Sequence, residues 1–125
     1  MLKNFKITTA MIFALVVAGF SSSASAGVEG DTITLGSAMS LSGKYSTSGL
    51  HTQRGYDFAV DRINSRGGVT VGGKSYKLAI KYYDDESTPA RAAQLVERLI
   101  QQDGVEFMLG PYGSGLTKAV APSVT

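Results

Sequence analysis

Near the C-terminal end of the chain, Gly110-Pro111-Tyr112-Gly113-Ser114-Gly115 combines residue types that suit the binding of a small anion. Gly113 and Gly115 let a ligand come close to the backbone, and Ser114 offers a hydroxyl where a helix is expected to begin. A helix start carries unpaired N–H groups and the positive end of the peptide dipoles, so it favours a carboxylate or a phosphate. Ser114 can equally cap its own helix, and the residue types leave both roles open. Two further polar stretches could face the same ligand: the Ser- and Gly-rich residues 40–49, and Asp84-Asp85-Glu86-Ser87. The acidic run could coordinate a cation, but a solvated turn is the commoner use of such a run after a strand, and it is the expectation here.

Catalysis finds little material. A nucleophile elbow needs Gly-x-Ser-x-Gly, and Tyr112 occupies the first glycine position ahead of Ser114. Neither the phosphate loop Gly-x-x-x-x-Gly-Lys-Ser/Thr nor a Gly-x-Gly-x-x-Gly turn after the first predicted strand is present. His51 is the sole histidine, so the sequence holds neither a histidine triad nor a multi-histidine metal site, and a solvated position on a helix is expected for it. The absence of Cys removes disulfides, thiol nucleophiles and thiolate metal sites. Tyr76, Tyr82 and Tyr83 lie at strand positions suited to packing rather than to ligand stacking. No catalytic residue, cofactor or metal is expected.

The elements that would position these loops alternate between two periodicities. Ile33 to Met39 is a short, nearly uninterrupted apolar run, the pattern of a strand covered on both faces. Residues 40–49 read as a loop. Thr52, Gly55, Tyr56, Ala59, Val60 and Ile63 then recur at helical spacing, and Gly67-Gly68 stops that helix. Tyr76 to Tyr83 alternates partially, with Lys77 and Lys81 on one face, as in a half-exposed strand at a sheet edge. Thr88-Pro89 opens a second helix with the stripe Ala92, Leu95, Val96, Leu99 and Ile100, and Gly104 ends it. Val105 to Leu109 reads as a third strand leading into an Ala-containing helix. Strand and helix in strict alternation predict a doubly wound parallel α/β sheet, with ligands beyond the carboxyl ends of its strands. Thr125 falls inside the third helical segment, without cap or further strand. The expectation is therefore a truncated chain rather than a complete small domain.

Of the 125 residues 43% are hydrophobic, an ordinary globular share. Twelve Lys and Arg face ten Asp and Glu, but Lys3 and Lys6 belong to the leader, so the remainder is balanced and carries no electrostatic footprint for nucleic acid. Those two lysines precede the apolar stretch Ile7 to Phe20, and Ala24-Ser25-Ala26 completes the three parts of a secretory signal peptide over residues 1–26. A membrane anchor is the alternative, but the apolar stretch is shorter than the ~20 residues a spanning helix needs. With no Cys to carry a lipid, export without an anchor predicts a periplasmic location.

Taken together, these pieces resemble a known family. Residues 33–43, Gly55 to Asn64 with Gly67-Gly68-Val69, Tyr83-Asp84-Asp85 with Pro89, and Gly110-Pro111-Tyr112-Gly113-Ser114 are similar, in order and spacing, to the leucine/isoleucine/valine-binding protein family. These are the type I periplasmic solute receptors of branched-chain amino acid ABC transporters, and the similarity runs over residues 32–125. It implies two α/β lobes closing on a small ligand, with residues 27–125 forming part of the N-terminal lobe and ABC transporter permease subunits as partners. The ligand would be an amino acid or a similar small carboxylate. The resemblance further implies that Ser114, with Gly113 and Tyr112, holds the α-carboxylate, and that Tyr45, Ser46 and Ser48 in the first loop stand beside the ligand. Ser48 falls where branched-chain binders tend to carry an aromatic residue, and Tyr45 lies three positions earlier, so the ligand side chain is left open. A sensor domain of the same fold and a secreted α/β enzyme are the alternative functions.

Overall fold

The computed structural model describes residues 27–125, so the predicted leader lies outside the described residues. In chain order the elements are β1 (Val28–Glu29), β2 (Thr32–Met39), α1 (Ser46–Ser65), β3 (Val69–Val71), β4 (Lys74–Asp84), α2 (Pro89–Gln101), β5 (Phe107–Met108) and α3 (Ser114–Val120), followed by a 3-10 turn at Ala121–Ser123. β2 is central. It runs parallel to β4 along its whole length, from Thr32 opposite Lys77 to Met39 opposite Asp84. On its other edge it runs parallel to β5, where Leu35 and Gly36 face Phe107 and Met108. The Leu109 amide prolongs that ladder by donating to the Gly36 carbonyl at 2.8 Å. The parallel α/β expectation is met, with β5 shorter than the apolar run suggested.

Two antiparallel additions were not foreseen. β1 folds back on the start of β2. β3 and β4 form a hairpin across Gly72-Gly73, both with positive φ (57° and 83°), as a two-residue turn matched to strand twist requires. This hairpin covers only the first residues of β4, so the half-exposed edge read from its lysines holds beyond Tyr76.

Strand order β4–β2–β5 reverses the direction of travel between the two crossovers, which puts α1 and α2 on opposite faces when both are right-handed. Neighbouring side chains on β4 agree, because successive residues of a strand point opposite ways. The Tyr82 hydroxyl donates to Asp57 on α1 at 2.8 Å. The Tyr83 hydroxyl donates to Asp103, just beyond α2, at 2.9 Å. Lys81 pairs with the same Asp103, and the Arg98 guanidinium lies 4.7 Å from the centre of the Tyr83 ring.

The core lies on the α2 side, where Ala38, Ala92, Leu95, Val96, Leu116 and Val120 pack together. α2 buries the predicted positions Ala92, Leu95, Val96 and Leu99, while Arg91, Gln94, Glu97, Arg98 and Gln101 stay exposed. Thr88 is its cap residue in extended conformation with Pro89 in the first turn, but the Thr88 hydroxyl turns away to the Glu86 carbonyl. α1 differs from its expected start. It begins at Ser46 rather than after Gly49, so Ser46 and Ser48 lie on its first turn and not in a loop. Its stripe is shallow: Thr52, Tyr56, Val60 and Asn64 are half-buried, and Phe58 on the outer side is 67% exposed.

Candidate functional site

The carboxyl ends of β2, β4 and β5 bring together the three polar stretches that the sequence singled out. β2 runs out at Met39, and residues 40–45 carry the chain to α1. Tyr45 is the residue before the helix, and the Gly49 amide donates to its carbonyl at 2.8 Å to close the first turn. From β5, Leu109, Gly110 and Pro111 lead to Tyr112, and Gly113 then occupies the cap position of α3 with φ 87° and ψ 148°. That backbone region is open to glycine and strained for other residues. Gly113 accepts at its carbonyl from both the amide and the hydroxyl of Thr117, at 3.1 and 3.0 Å. Ser114 is therefore the first residue inside the helix and not its cap, and it is exposed. Of the two roles left open by the sequence, capping is the one this geometry removes.

The first and third loops meet through two tyrosines. The rings of Tyr45 and Tyr112 lie 5.8 Å apart, tilted by 59°, a separation at which aromatic pairs attract. Lys44 places its ammonium 4.6 Å from the centre of the Tyr45 ring. Tyr45 is half-buried and packs against the core, so part of its ring is structural. Ser46 and Ser48 are half-buried on the first turn of α1, whereas Gly113 and Ser114 are exposed. From the outer side of the third loop, the Tyr56 hydroxyl donates to the Gly110 carbonyl at 3.1 Å and ties α1 to it.

The acidic turn contradicts the expectation of a solvated run. Asp85 is completely buried, and Ser87 is 5% exposed. Asp85 Oδ1 accepts from the Ser40 hydroxyl at 2.7 Å and from the Ser87 amide at 2.8 Å. Its Oδ2 is buried and has no hydrogen-bond partner among the described residues. Burial pushes this carboxyl above its usual range, and the neighbouring Asp84 charge adds to the rise against the Ser40 and Ser87 hydrogen bonds. Asp84 shifts the other way. Its partial burial alone would raise it, but hydrogen bonds from Ser42, Glu86 and Leu41 outweigh that and hold it low. Sequence reasoning missed this turn as a structural centre. The available signal was its place: two carboxylates directly after the outer parallel strand, at the end of the sheet where the loops converge.

Among the described residues, no group of three or more His, Cys, Asp or Glu side chains could hold a metal ion, and no helix is long and apolar enough to cross a membrane. A cavity of about 520 Å³ lies away from these loops, between Ile100, Val105, Met108 and residues 123–125.

Comparison with known proteins adds a lineage to this geometry. Residues 32–125 match the family model described as periplasmic binding protein. A Leu/Ile/Val-binding protein homolog of Brucella melitensis is 29% identical over 118 residues, covering 94% of this chain and 29% of that relative. Among solved structures, the branched-chain amino acid transporter substrate binding protein LivJ of Streptococcus pneumoniae, in complex with isoleucine, shares 34% identity at a TM-score of 0.65. The match covers 73% of this chain and 25% of that one. A periplasmic binding protein type 1 from Bordetella pertussis shares 33% identity at a TM-score of 0.63, over 75% and 24% of the two chains. The chain thus spans less than a third of the length of these relatives.

Proposed function

The chain belongs to the periplasmic binding protein family, and from that premise we propose that it forms part of the N-terminal lobe of a two-lobe solute receptor of an ABC importer. The proposed ligand is an amino acid, branched-chain or a related small carboxylate, taken up in the cleft between lobes and handed to permease subunits in the membrane. Two relatives are named for such ligands, one of them a structure holding isoleucine. These relatives are binding proteins by name, which supports recognition rather than turnover. We extend the proposal to location: the protein works in the periplasm, reached through a leader over residues 1–26.

The observation that carries this reading is the convergence of the first and third loops through Tyr45 and Tyr112, with Gly113 and Ser114 exposed beside them. In the proposed site Ser114 donates its hydroxyl to the ligand carboxylate, and the amides after Gly113 add further donors. Tyr112 and Tyr45 form the wall, with Ser46 and Ser48 on the first turn of α1 next to it. Closure then follows from differential contact: a ligand stabilises the shut form only by touching both lobes. Titration calorimetry of the complete receptor with L-isoleucine, L-leucine and L-valine tests the reading. Ser114→Ala is expected to weaken binding by about 1.5–3 kcal/mol, the range for a hydrogen bond to a charged group. Unchanged affinity would remove Ser114 from the site, and no binding of any branched-chain amino acid would remove the proposed ligand class.

A further inference from the structure

We propose that Asp84, Asp85 and Ser87 are positioning residues: together they latch the loop 40–45 and the first turn of α1 into the place from which Tyr45, Ser46 and Ser48 meet the ligand. The proposal rests on the functional reading above for its last step, and on hydrogen bonds for the rest. The loop 40–45 takes nearly all its long-range bonds from this one turn. The Ser40 hydroxyl donates to Asp85 Oδ1 at 2.7 Å. The Leu41 and Ser42 amides both donate to Asp84 Oδ1, at 3.0 and 3.1 Å. Ser87 works in both directions, donating its hydroxyl to the Ser42 carbonyl at 2.7 Å and accepting the Tyr45 amide at 3.0 Å. A Cβ on Gly43 would lie 2.7 Å from the Glu86 carbonyl, so the two backbones touch with no room for a side chain.

The turn that supplies these bonds is strained. Glu86 and Ser87 both adopt left-handed backbone conformations, with φ of 54° and 59°, although neither is glycine. Such a conformation costs roughly 1–2 kcal/mol per residue and persists only where surrounding contacts over-determine it. Here the surroundings are the start of α2, whose buried stripe is anchored in the core, and the end of β4 in the sheet. The packed start of α2 and the end of β4 thereby dictate where a short polar loop sits. Tyr45 is the point of transfer: its amide is held by Ser87 while its ring faces Tyr112.

Backbone amide exchange and calorimetry with L-isoleucine, both on the complete receptor, test the latch. Ser87→Gly removes the hydroxyl while relieving backbone strain, which offsets part of the stability lost with its two hydrogen bonds. Asp84→Ala removes the acceptor for the Leu41, Ser42 and Glu86 amides, and Asp84→Asn retains an oxygen in its place. In Ser87→Gly and Asp84→Ala, the amides of Leu41, Ser42 and Tyr45 are expected to exchange about tenfold faster or more, as for loss of one net hydrogen bond, with β2, β4 and α2 protected as before. Isoleucine affinity is expected to fall by about tenfold in both, and to return most of the way in Asp84→Asn. Unchanged exchange at those three amides overturns the latch. Faster exchange with unchanged isoleucine affinity overturns the positioning role. A wild-type receptor that binds no isoleucine defeats the proposed ligand instead, and the latch is then decided by exchange alone.

Discussion

Asp84 and Asp85 are adjacent in the chain, yet their carboxyls are pushed in opposite directions because successive residues at a strand end point to opposite sides. Asp84 faces the backbone of the first loop, where Leu41, Ser42 and Glu86 amides stabilise its charge. Asp85 faces the interior, where one oxygen is satisfied and the other is not. The consequences for stability have opposite signs. A lowered carboxyl such as Asp84 contributes above its unfolded value and loses that contribution as pH falls. The raised Asp85 contributes most below its unfolded value, and the contribution is lost as pH rises through its folded value. Thermal melts of wild type and Asp85→Asn from pH 4 to pH 7 should therefore show wild type losing ground to the variant as pH rises, on top of a constant offset from the amide. A difference independent of pH would mean that burial does not raise the Asp85 carboxyl.

At the scale of elements, α1 and α2 differ in how plainly their residues declare them. α2 needs only its own periodicity and the Thr88-Pro89 start, and its observed buried face is the predicted one. The first turn of α1 is different. Ser46, Thr47 and Ser48 read as loop because such side chains compete for backbone hydrogen bonds, and no side-chain cap bond holds the helix at Tyr45. The turn forms because Ser87, distant in sequence, holds the Tyr45 amide and because Gly49 lies flush against Ser40. Two glycines in this one helix therefore predict opposite responses to the same change. A Cβ at Gly49 would collide with the Ser40 carbonyl, and Gly49→Ala is expected to cost about 3 kcal/mol, as for overpacking against backbone. A Cβ at Gly55 meets nothing within 4 Å among the described residues, and Gly55→Ala is expected to add about 0.5–1 kcal/mol from helix propensity. Urea denaturation of both variants checks the pair, and equal effects would refute the packing assigned to Gly49.

For the whole molecule, strand order is what brings the candidate site together. β2 at the centre, with β4 and β5 on either side, puts three loops at one end of the sheet, where parallel α/β proteins bind ligands. If the chain is part of a two-lobe receptor, isoleucine should reduce the radius of gyration of the complete protein in small-angle scattering, since only the shut form lets the ligand touch both lobes. An unchanged radius at saturating isoleucine would count against closure. The parallel α/β class, the buried face of α2 and the three candidate loops were legible in the residues alone, because periodicity and glycine placement are local properties of the chain. The Gly72-Gly73 hairpin is equally local, a two-glycine turn between two strands. The role of the acidic turn was legible only from its place at the end of a strand, since the residue types Asp84-Asp85-Glu86-Ser87 suit a solvated run as well as a buried one. Only tertiary structure decided that Asp85 is enclosed, that Ser87 starts α1 from across the sheet end, and that Tyr45 faces Tyr112. Each of these depends on which strands lie side by side, and hydrogen bonds between residues more than forty positions apart exist only once that order is set.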